Sequence, residues 1–506
     1  MMSADGDPGS VVPRGGPGKD RAVPSLPPPR EVAVPARDPA RLRPLIGEQR
    51  YADLVAEGAR TRAALRGCTV WNVSSTAAGG GVAEMLQVLV GYTLGVGLAV
   101  RWLVLAGDLE FFTVTKRIHN RLHGVPGDGG VLSERETAAY ASVQAANATA
   151  IVAQVRPADV VLLHDPQTAG LVAPLKAAGA VVLWRCHVGT EVTNQWTQEA
   201  WGFLRPHLAD CDGFVFTRQA YVPSWVPMER VSVIPPSIDP FSPKNQELSE
   251  AGRLRILGAM GVLDRAPTGP ATFTRRDGSA GSVTRRASVV AAEPFDAGVP
   301  LVIQVSRWDR LKDMAGVMAG FAAHVVGHSD AQLALVGPAV DEVSDDPEGR
   351  EVLDQCTEAW SLLAPRQRRR IRLLSLPMDD VDENAAMVNA LQRHATVIVQ
   401  KSLAEGFGLT VAEGMWKAKA VLASAVGGIV DQVAPGTGLL LGDPSDLDGF
   451  GHALVSLLSR RQDVVRLGEN ARRHVLENFV GDKHLMHYGT LMEQLKATRA
   501  LNASDG

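Results

Sequence analysis

The 506-residue sequence is short of several features that would settle its class at once. Only four cysteines are present, Cys68, Cys186, Cys211 and Cys356, and none forms a C-x2-C pair. A zinc site and a disulfide framework are therefore both disfavoured, and a reduced, cytoplasmic setting is expected. Positive charge is not in excess: 51 Lys and Arg against 55 Asp and Glu leave a net charge of -4, so no nucleic-acid footprint is visible. Long unbroken apolar runs are missing too. The strongest candidate, MLQVLVGYTLGVGLAVRWLVL from Met85 to Leu105, is interrupted by Gln87, Arg101 and three glycines. It divides into a helix, a Gly-rich turn and a strand, so no membrane span is expected. Nor does a G-x-G-x-x-G follow the first strand with an acid about 20 residues later, which disfavours a dehydrogenase.

What is present is an alternation of short apolar runs with helical stretches, and 45% hydrophobic content supports two or three cores in a chain this long. Candidate strands lie at 69–73, 100–105, 159–163, 180–184, 213–216 and 231–234. A second set lies at 301–305, 332–336, 371–374, 396–399, 421–423 and 438–441. Strands alternating with helices predict parallel sheets covered on both faces, and hence an α/β class of two Rossmann-like, doubly wound domains. The division expected is a disordered Pro/Gly-rich tail over 1–40 and a first domain over 41–245. A linker with a flexible insertion follows over 246–300, then a second domain over 301–470 and helices over 471–506. The insertion contains TFTRRDGSAGSVTRRAS, with little apolar periodicity; it reads as an exposed loop, or alternatively a basic docking loop.

The organising stretch is QKSLAEGFGLTVAEGMWKAKAVLASAVGGI, from Gln400 to Ile429. A β-branched run, Thr396-Val397-Ile398-Val399, precedes a tight turn at Glu405-Gly406-Phe407-Gly408, and a helix is predicted from Leu409. Two glycines admit a close ligand, and the helix start presents unpaired N–H groups, which together make an anion site. Glu405 and Glu413 frame it, although a plain surface turn with two solvated glutamates is the competing reading. Upstream, Leu301–Val305 is followed by SRWDRLKD, so Arg307 and Lys312 leave the carboxyl end of a strand, where open α/β sheets bind ligands. A guanidinium fork and an ammonium suit a diphosphate. In the first domain, Gly79, Gly80 and Gly81 precede a helix, in a Gly-rich βα turn of a common kind. Asp165 and His187 follow strands, and His187 reads either as a cleft residue or as a histidine hydrogen-bonded within the fold. The pair Asp379-Asp380 reads as solvated, and no metal site is implied.

Arg307 and Lys312 five residues apart, followed by the E-x7-E pattern of Glu405 and Glu413, resemble the retaining nucleotide-sugar glycosyltransferases of GT-B architecture, family four. The phrases WNVSSTAAGGGVAEML, EFFTVTKRIHN, HDPQTAGL, WRCHVG and PPSIDPFSPKN are similar to a trehalose-forming branch of that family. The likeness implies two domains facing a cleft, a C-terminal helix crossing back to the first domain, and transfer of glucose from a nucleotide-glucose (ADP-, UDP- or GDP-glucose) to glucose. It implies that Arg307, Lys312 and the turn Gly406-Phe407-Gly408-Leu409 hold the diphosphate and Glu413 the ribose. Glu405 and His187 would hold the donor sugar, Asp165 the acceptor, and the 79–81 glycines the phosphate and acceptor side. No cofactor is required on this reading, and a divalent metal is not implied. Small molecules are the expected partners, with no nucleic acid, no membrane and a homodimer as the candidate assembly. Transfer to another acceptor, such as a polysaccharide or a small acid, and a non-catalytic nucleotide-sugar-binding regulator remain the alternatives.

Overall fold

The computed structural model describes residues 26–77, 81–263, 265–340 and 348–504. Two seven-stranded sheets dominate it. The first takes β1 (Arg30–Glu31), β2 (Val70–Ser74), β3 (Val100–Val104), β4 (Val160–His164), β5 (Val181–Cys186), β6 (Gly213–Phe216) and β7 (Val231–Val233) in the order β1-β3-β2-β4-β5-β6-β7. A two-stranded hairpin, β8 (Thr272–Thr274) with β9 (Ala280–Ser282), stands between the sheets in sequence. The second sheet takes β10 (Ser288–Val290), β11 (Leu301–Val305), β12 (Gln332–Pro338), β13 (Ile371–Leu376), β14 (Val397–Gln400), β15 (Ala420–Ser424) and β16 (Leu439–Leu441), in the order β10-β13-β12-β11-β14-β15-β16.

Both sheets are parallel apart from the edge strands β1 and β10, which run antiparallel to their neighbours. Central strands such as β2, β4, β5 and β11 are buried along their whole length, as helices on both faces require. Their Val, Ile and Leu content follows from that double burial. In each sheet the chain winds outward and then returns to the other side of its first long strand. The order therefore reverses between β2 and β4 in the first sheet and between β11 and β14 in the second. Crevices open at the carboxyl ends of strands at such reversals. The two reversals face a common cleft.

The helix Arg461–Asn478 packs on the second domain through Val464, Leu467 and Ala471. At Val480 the chain pairs with Ile238, and the helix Gly481–Ser504 then lies along the helix Arg43–Ala64 of the first domain. Tyr488, Leu491 and Met492 join the core that holds Trp102 and Leu183. The lobes are thus connected twice. Among the described residues no helix is long and apolar enough to cross a membrane, and Met85–Leu105 contains the end of the helix Gly81–Gly95 and β3.

Three sequence expectations need correction. Residues 1–25 lie outside the described residues, but 26–40 are not a loose tail: Arg30 and Glu31 pair with Val104 and Leu103, and the buried Arg37 makes an ion pair with the buried Asp239. The linker 246–300 is structured as well. It forms the helix Glu250–Ala259, the β8–β9 hairpin and β10, and buries Phe273, Val283 and Phe295 in the second domain's core. Three arginines of this segment pair with the start of the helix Val381–His394: Arg275 with Asp380, Arg276 with Asp382 and Arg285 with Glu383. Asp380 is accordingly not a solvated acid. It caps that helix by accepting from the Asp382 and Glu383 N–H groups, and holds Arg275 at 2.6 Å.

Candidate active site

The cleft between the two order reversals has a volume of about 350 Å³, and nearly every residue expected to act lies on its walls. Asp165, His187, Arg307, Lys312, Glu405, Gly406, Phe407, Gly408, Leu409 and Gly81 all line it. Gly79 and Gly80 lie outside the described residues. Glu413 stands one turn deeper, in an adjoining cavity of about 100 Å³ that shares Glu84, Lys244 and Leu409 with the main cleft.

At the ends of β4 and β5 the first-domain wall carries a hydrogen-bonded set of groups that burial keeps uncharged, backed by the buried Arg185. Asp165 follows β4 with φ of 65° and ψ of 176°, a backbone shape that a side chain tolerates only when neighbours impose it. They do: its N–H donates to Arg185 O at 2.8 Å, and its Oδ1 accepts from His187 N at 2.8 Å. Burial pushes the Asp165 carboxyl up to about 7. His164 Nε2 lies 3.1 Å from Asn72 Oδ1, and its Nδ1 lies 3.0 Å from His187 Nε2. A carbonyl oxygen only accepts, so His164 carries its proton on Nε2 and takes the His187 Nε2 proton as acceptor. Arg185 Nε lies 3.3 Å from His187 Nδ1 and 3.2 Å from His187 Nε2, and with the Nε2 proton given to His164 only Nδ1 is left to accept from it. Burial, with Arg185 assisting, pushes His164 down to about 3 and His187 well below its ordinary value. Both readings of His187 therefore meet in one residue, which is bonded within the fold and faces the cleft.

The second-domain wall is charged. Arg307 leaves β11 and approaches Asp309 Oδ2 at 3.7 Å, while Lys312 Nζ sits 2.7 Å from Glu405 Oε2. Asp309 is buried, which would raise its carboxyl, yet Lys116, Arg307 and Lys312 together hold it far below the carboxylate range. Gly408 has φ of +85°, a left-handed conformation that glycine adopts without strain, and it opens the helix Leu409–Trp416 toward the cleft. Gly406 is pressed against the first domain, since a Cβ there would stand 2.5 Å from His187 O. Tyr221 OH donates to Gly406 O at 2.9 Å and clips the same turn to the first domain.

Glu413 is 2% exposed, and Lys244 Nζ reaches its Oε1 at 3.0 Å. Burial raises its carboxyl against the pull of Lys244. Its Oε2 has no hydrogen-bond partner, in contrast to the solvated glutamate that the competing reading would require. Among the described residues no three His, Cys, Asp or Glu side chains are grouped to hold a metal ion.

Sequence reasoning missed a helical face. Lys116, His119 and His123 belong to the helix Leu109–Leu122 and its C-cap, and all three line the cleft. Lys116 Nζ crosses to Asp309 Oδ2 at 3.1 Å. Burial, aided by Lys312, pushes His123 down to about 4, and burial together with His123 lowers His119. Their spacing of three and four residues within TKRIHNRLH was the available signal, because such residues share one face of a helix.

Two Rossmann-like domains that meet at a cleft define a GT-B architecture. The comparisons carry that class further. Residues 72–223 match the trehalose synthase N-terminal domain and residues 288–474 match the glycosyl transferases group 1 model. The chain is 33% identical to the trehalose synthase of Rubrobacter xylanophilus over 87% of its own length and 93% of the relative's. It is 34% identical to that of Thermococcus litoralis over 83% and 89%. The chain belongs to the trehalose synthase family. In fold it is similar to α,α-trehalose 6-phosphate synthase from Burkholderia multivorans, with a TM-score of 0.60 at 16% identity, covering 87% of this chain and 98% of that one.

Proposed function

We propose that the protein is a retaining glycosyltransferase that moves glucose from a nucleotide-glucose to free glucose and forms α,α-1,1-linked trehalose. The observation that carries this reading is the contrast across the cleft. Arg307, Lys312 and the start of the helix Leu409–Trp416 converge on one side, as a leaving diphosphate needs, and uncharged hydrogen-bonding groups face them, as a sugar needs. The bond broken is that between the glucosyl C1 and the phosphate oxygen, and the bond formed joins C1 to the acceptor's anomeric hydroxyl oxygen. The hydroxyl proton passes to the departing diphosphate.

A double displacement would need a carboxylate nucleophile beside the anomeric carbon. Glu405 is held by Lys312, and Asp165 resists ionisation below about pH 7, so neither fits that task well. Substitution on one face, with the diphosphate leaving and the acceptor entering on the same side, agrees better with the walls. In this scheme Glu405 and His187 hold the donor glucose, Asp165 the acceptor and Glu413 the ribose hydroxyls, to which its unpartnered Oε2 is suited. The four cysteines are unpaired thiols, which supports a cytoplasmic setting.

The test is product analysis with ADP-, UDP- and GDP-glucose, each with free glucose, beside an incubation with maltose alone. Trehalose formed only with a nucleotide-glucose, with release of the nucleoside diphosphate, is expected. Trehalose formed from maltose without nucleotide would overturn the proposal.

A further inference from the structure

The structure gives part of the segment 246–300 a place beside the site. The hairpin β8–β9 turns through Arg275-Arg276-Asp277-Gly278-Ser279, closed by Arg275 N donating to Ser279 O at 2.8 Å, with Gly278 at φ +89°. Phe273 covers Gly281 so closely that a Cβ there would fall 2.5 Å from the ring. The turn is therefore a fixed object. Arg275 and Arg276 bind Asp380 and Asp382 at the start of the helix Val381–His394. Arg276 is held twice, because its backbone N–H also donates to Asp382 Oδ2 at 3.1 Å.

So held, Arg276 lines the cavity of about 100 Å³ behind the cleft, together with Glu413, Gln87, Lys244 and Asn384. Two buried acceptor oxygens of that lining have no partner, Glu413 Oε2 and Gln87 Oε1. Buried acceptors left unpaired are rare in folded proteins, and two beside one cavity call for an occupant that brings donors. A nucleoside has them, in its ribose hydroxyls and in the N–H groups of its base.

We propose that the hairpin 272–282 is a specificity element of the donor site, with Arg276 as the wall against which the nucleoside end of a nucleotide-sugar is selected. The proposal rests on the nucleotide-glucose reading above. Asp382 fixes the guanidinium, so its planar, charged edge faces one part of the occupant in a set geometry. A base that offers an acceptor to that edge is retained, and one that offers a donor leaves it unpaired, an asymmetry that discriminates more strongly than shape alone.

The test measures binding of ADP, UDP and GDP by calorimetry, and kcat/KM with the corresponding nucleotide-glucoses, for the native protein, Arg276→Ala, Arg276→Gln and Arg275→Ala. Arg275 makes the neighbouring ion pair but does not line the cavity. Loss of one charge-assisted contact predicts that both Arg276 variants narrow the ratio between the best and second-best nucleotide by about tenfold, with KM for glucose unchanged. Arg275→Ala should lower the melting temperature and leave the ratio alone. Nucleotide binding with an unchanged ratio in both Arg276 variants would overturn the role of the hairpin while leaving the transferase reading intact. If Arg276→Ala fails to fold, Arg276→Gln and the ratio it gives decide the matter. Absence of nucleotide binding by the native protein would defeat the donor reading itself, and the hairpin proposal with it.

Discussion

The two walls of the cleft are made of the same kind of element, loops at the carboxyl ends of parallel strands, yet they solve opposite electrostatic problems. On the first-domain wall, Asn72, His164, His187 and Asp165 are joined side chain to side chain or side chain to backbone, and burial keeps the histidines uncharged and the acid largely protonated below about pH 7. On the second-domain wall the groups stand in pairs of opposite charge, Arg307 by Asp309 at 3.7 Å and Lys312 by Glu405 at 2.7 Å, and the cations around Asp309 hold its carboxyl far down. The difference teaches that depth alone does not set ionisation. Asp309 and Asp165 are both buried carboxylates, and one is pulled far down by three cations while the other, with only Arg185 and one N–H nearby, rises.

Removing the cations should give the largest effect. If Arg307 and Lys312 stabilise charge that grows on a leaving diphosphate, their contacts strengthen toward the transition state. Each contact, at roughly 1.5–3 kcal/mol, corresponds to about 10- to 150-fold in rate. Arg307→Ala is the cleaner probe, since Lys312→Ala also strips Glu405 of its partner at 2.7 Å. Steady-state kinetics at saturating donor should show kcat at least about tenfold lower for Arg307→Ala, and Arg307→Lys should recover only part of it because the fork is lost. Normal kcat with only KM changed would mean that this wall binds charge without using it, and the contrast would lose its catalytic meaning.

The walls touch at Gly406, so a methyl group placed there should disturb both. Its Cβ would stand 2.5 Å from His187 O, a backbone atom that cannot rotate aside. Gly406→Ala should cost about 1–3 kcal/mol of stability, as overpacking commonly does. It should also lower kcat/KM about tenfold by forcing the walls apart, as melting curves and kinetics on one preparation would show. An unchanged kcat/KM would mean that the turn and the His187 loop act independently.

How much of this was legible beforehand follows from what each feature depends on. The strands could be read because double burial writes continuous apolar runs into the sequence; Leu301–Val305 and Gly213–Phe216 fall where their composition places them. Arg307, Lys312, Glu405 and the following turn were visible because cations and glycines directly after apolar runs stand out in the sequence, and the structure brings them to one cleft. The order of the segment 246–300, hairpin included, was not, since the segment is held by three arginine–carboxylate pairs and three well-separated apolar residues, none of which leaves a local period. The hairpin's one local sign was the Asp277-Gly278 turn. The neutral state of Asp165 was hidden for another reason. It arises from burial by β4, β5 and their loops, which only the assembled sheet supplies.

A change confined to Asp165 tests that neutral state directly. Its carboxyl is raised in the fold from 3.8 to about 7, so the folded protein keeps a proton that the unfolded chain has lost. The stability it contributes is complete below 3.8, declines as pH rises through the interval and is level above about 7. Asp165→Asn keeps an oxygen to accept the His187 N–H and cannot ionise. Its melting temperature relative to the native protein should therefore rise steadily from pH 4 to pH 7, while the histidine contributions, common to both proteins, cancel. A flat difference would show that Asp165 is ionised in the fold and that the first wall is not neutral.

The smallest expected effect comes from one of the cations that the first domain sends across. Lys116 Nζ lies 3.1 Å from Asp309 Oδ2, a contact that a strict separation of the walls would forbid. Asp309 keeps Arg307 and Lys312 nearby when Lys116 is removed, so its charge should survive. What Lys116→Met should lose is one largely buried bridge between the domains, worth about 0.5–1 kcal/mol because Asp309 keeps two other cations and is not left uncompensated. That predicts a rise in KM for the nucleotide-glucose of about 2- to 5-fold, with kcat within a factor of about two. A fall in kcat comparable to that of Arg307→Ala would place Lys116 on the leaving group itself, and the catalytic charge would then belong to both walls rather than to one.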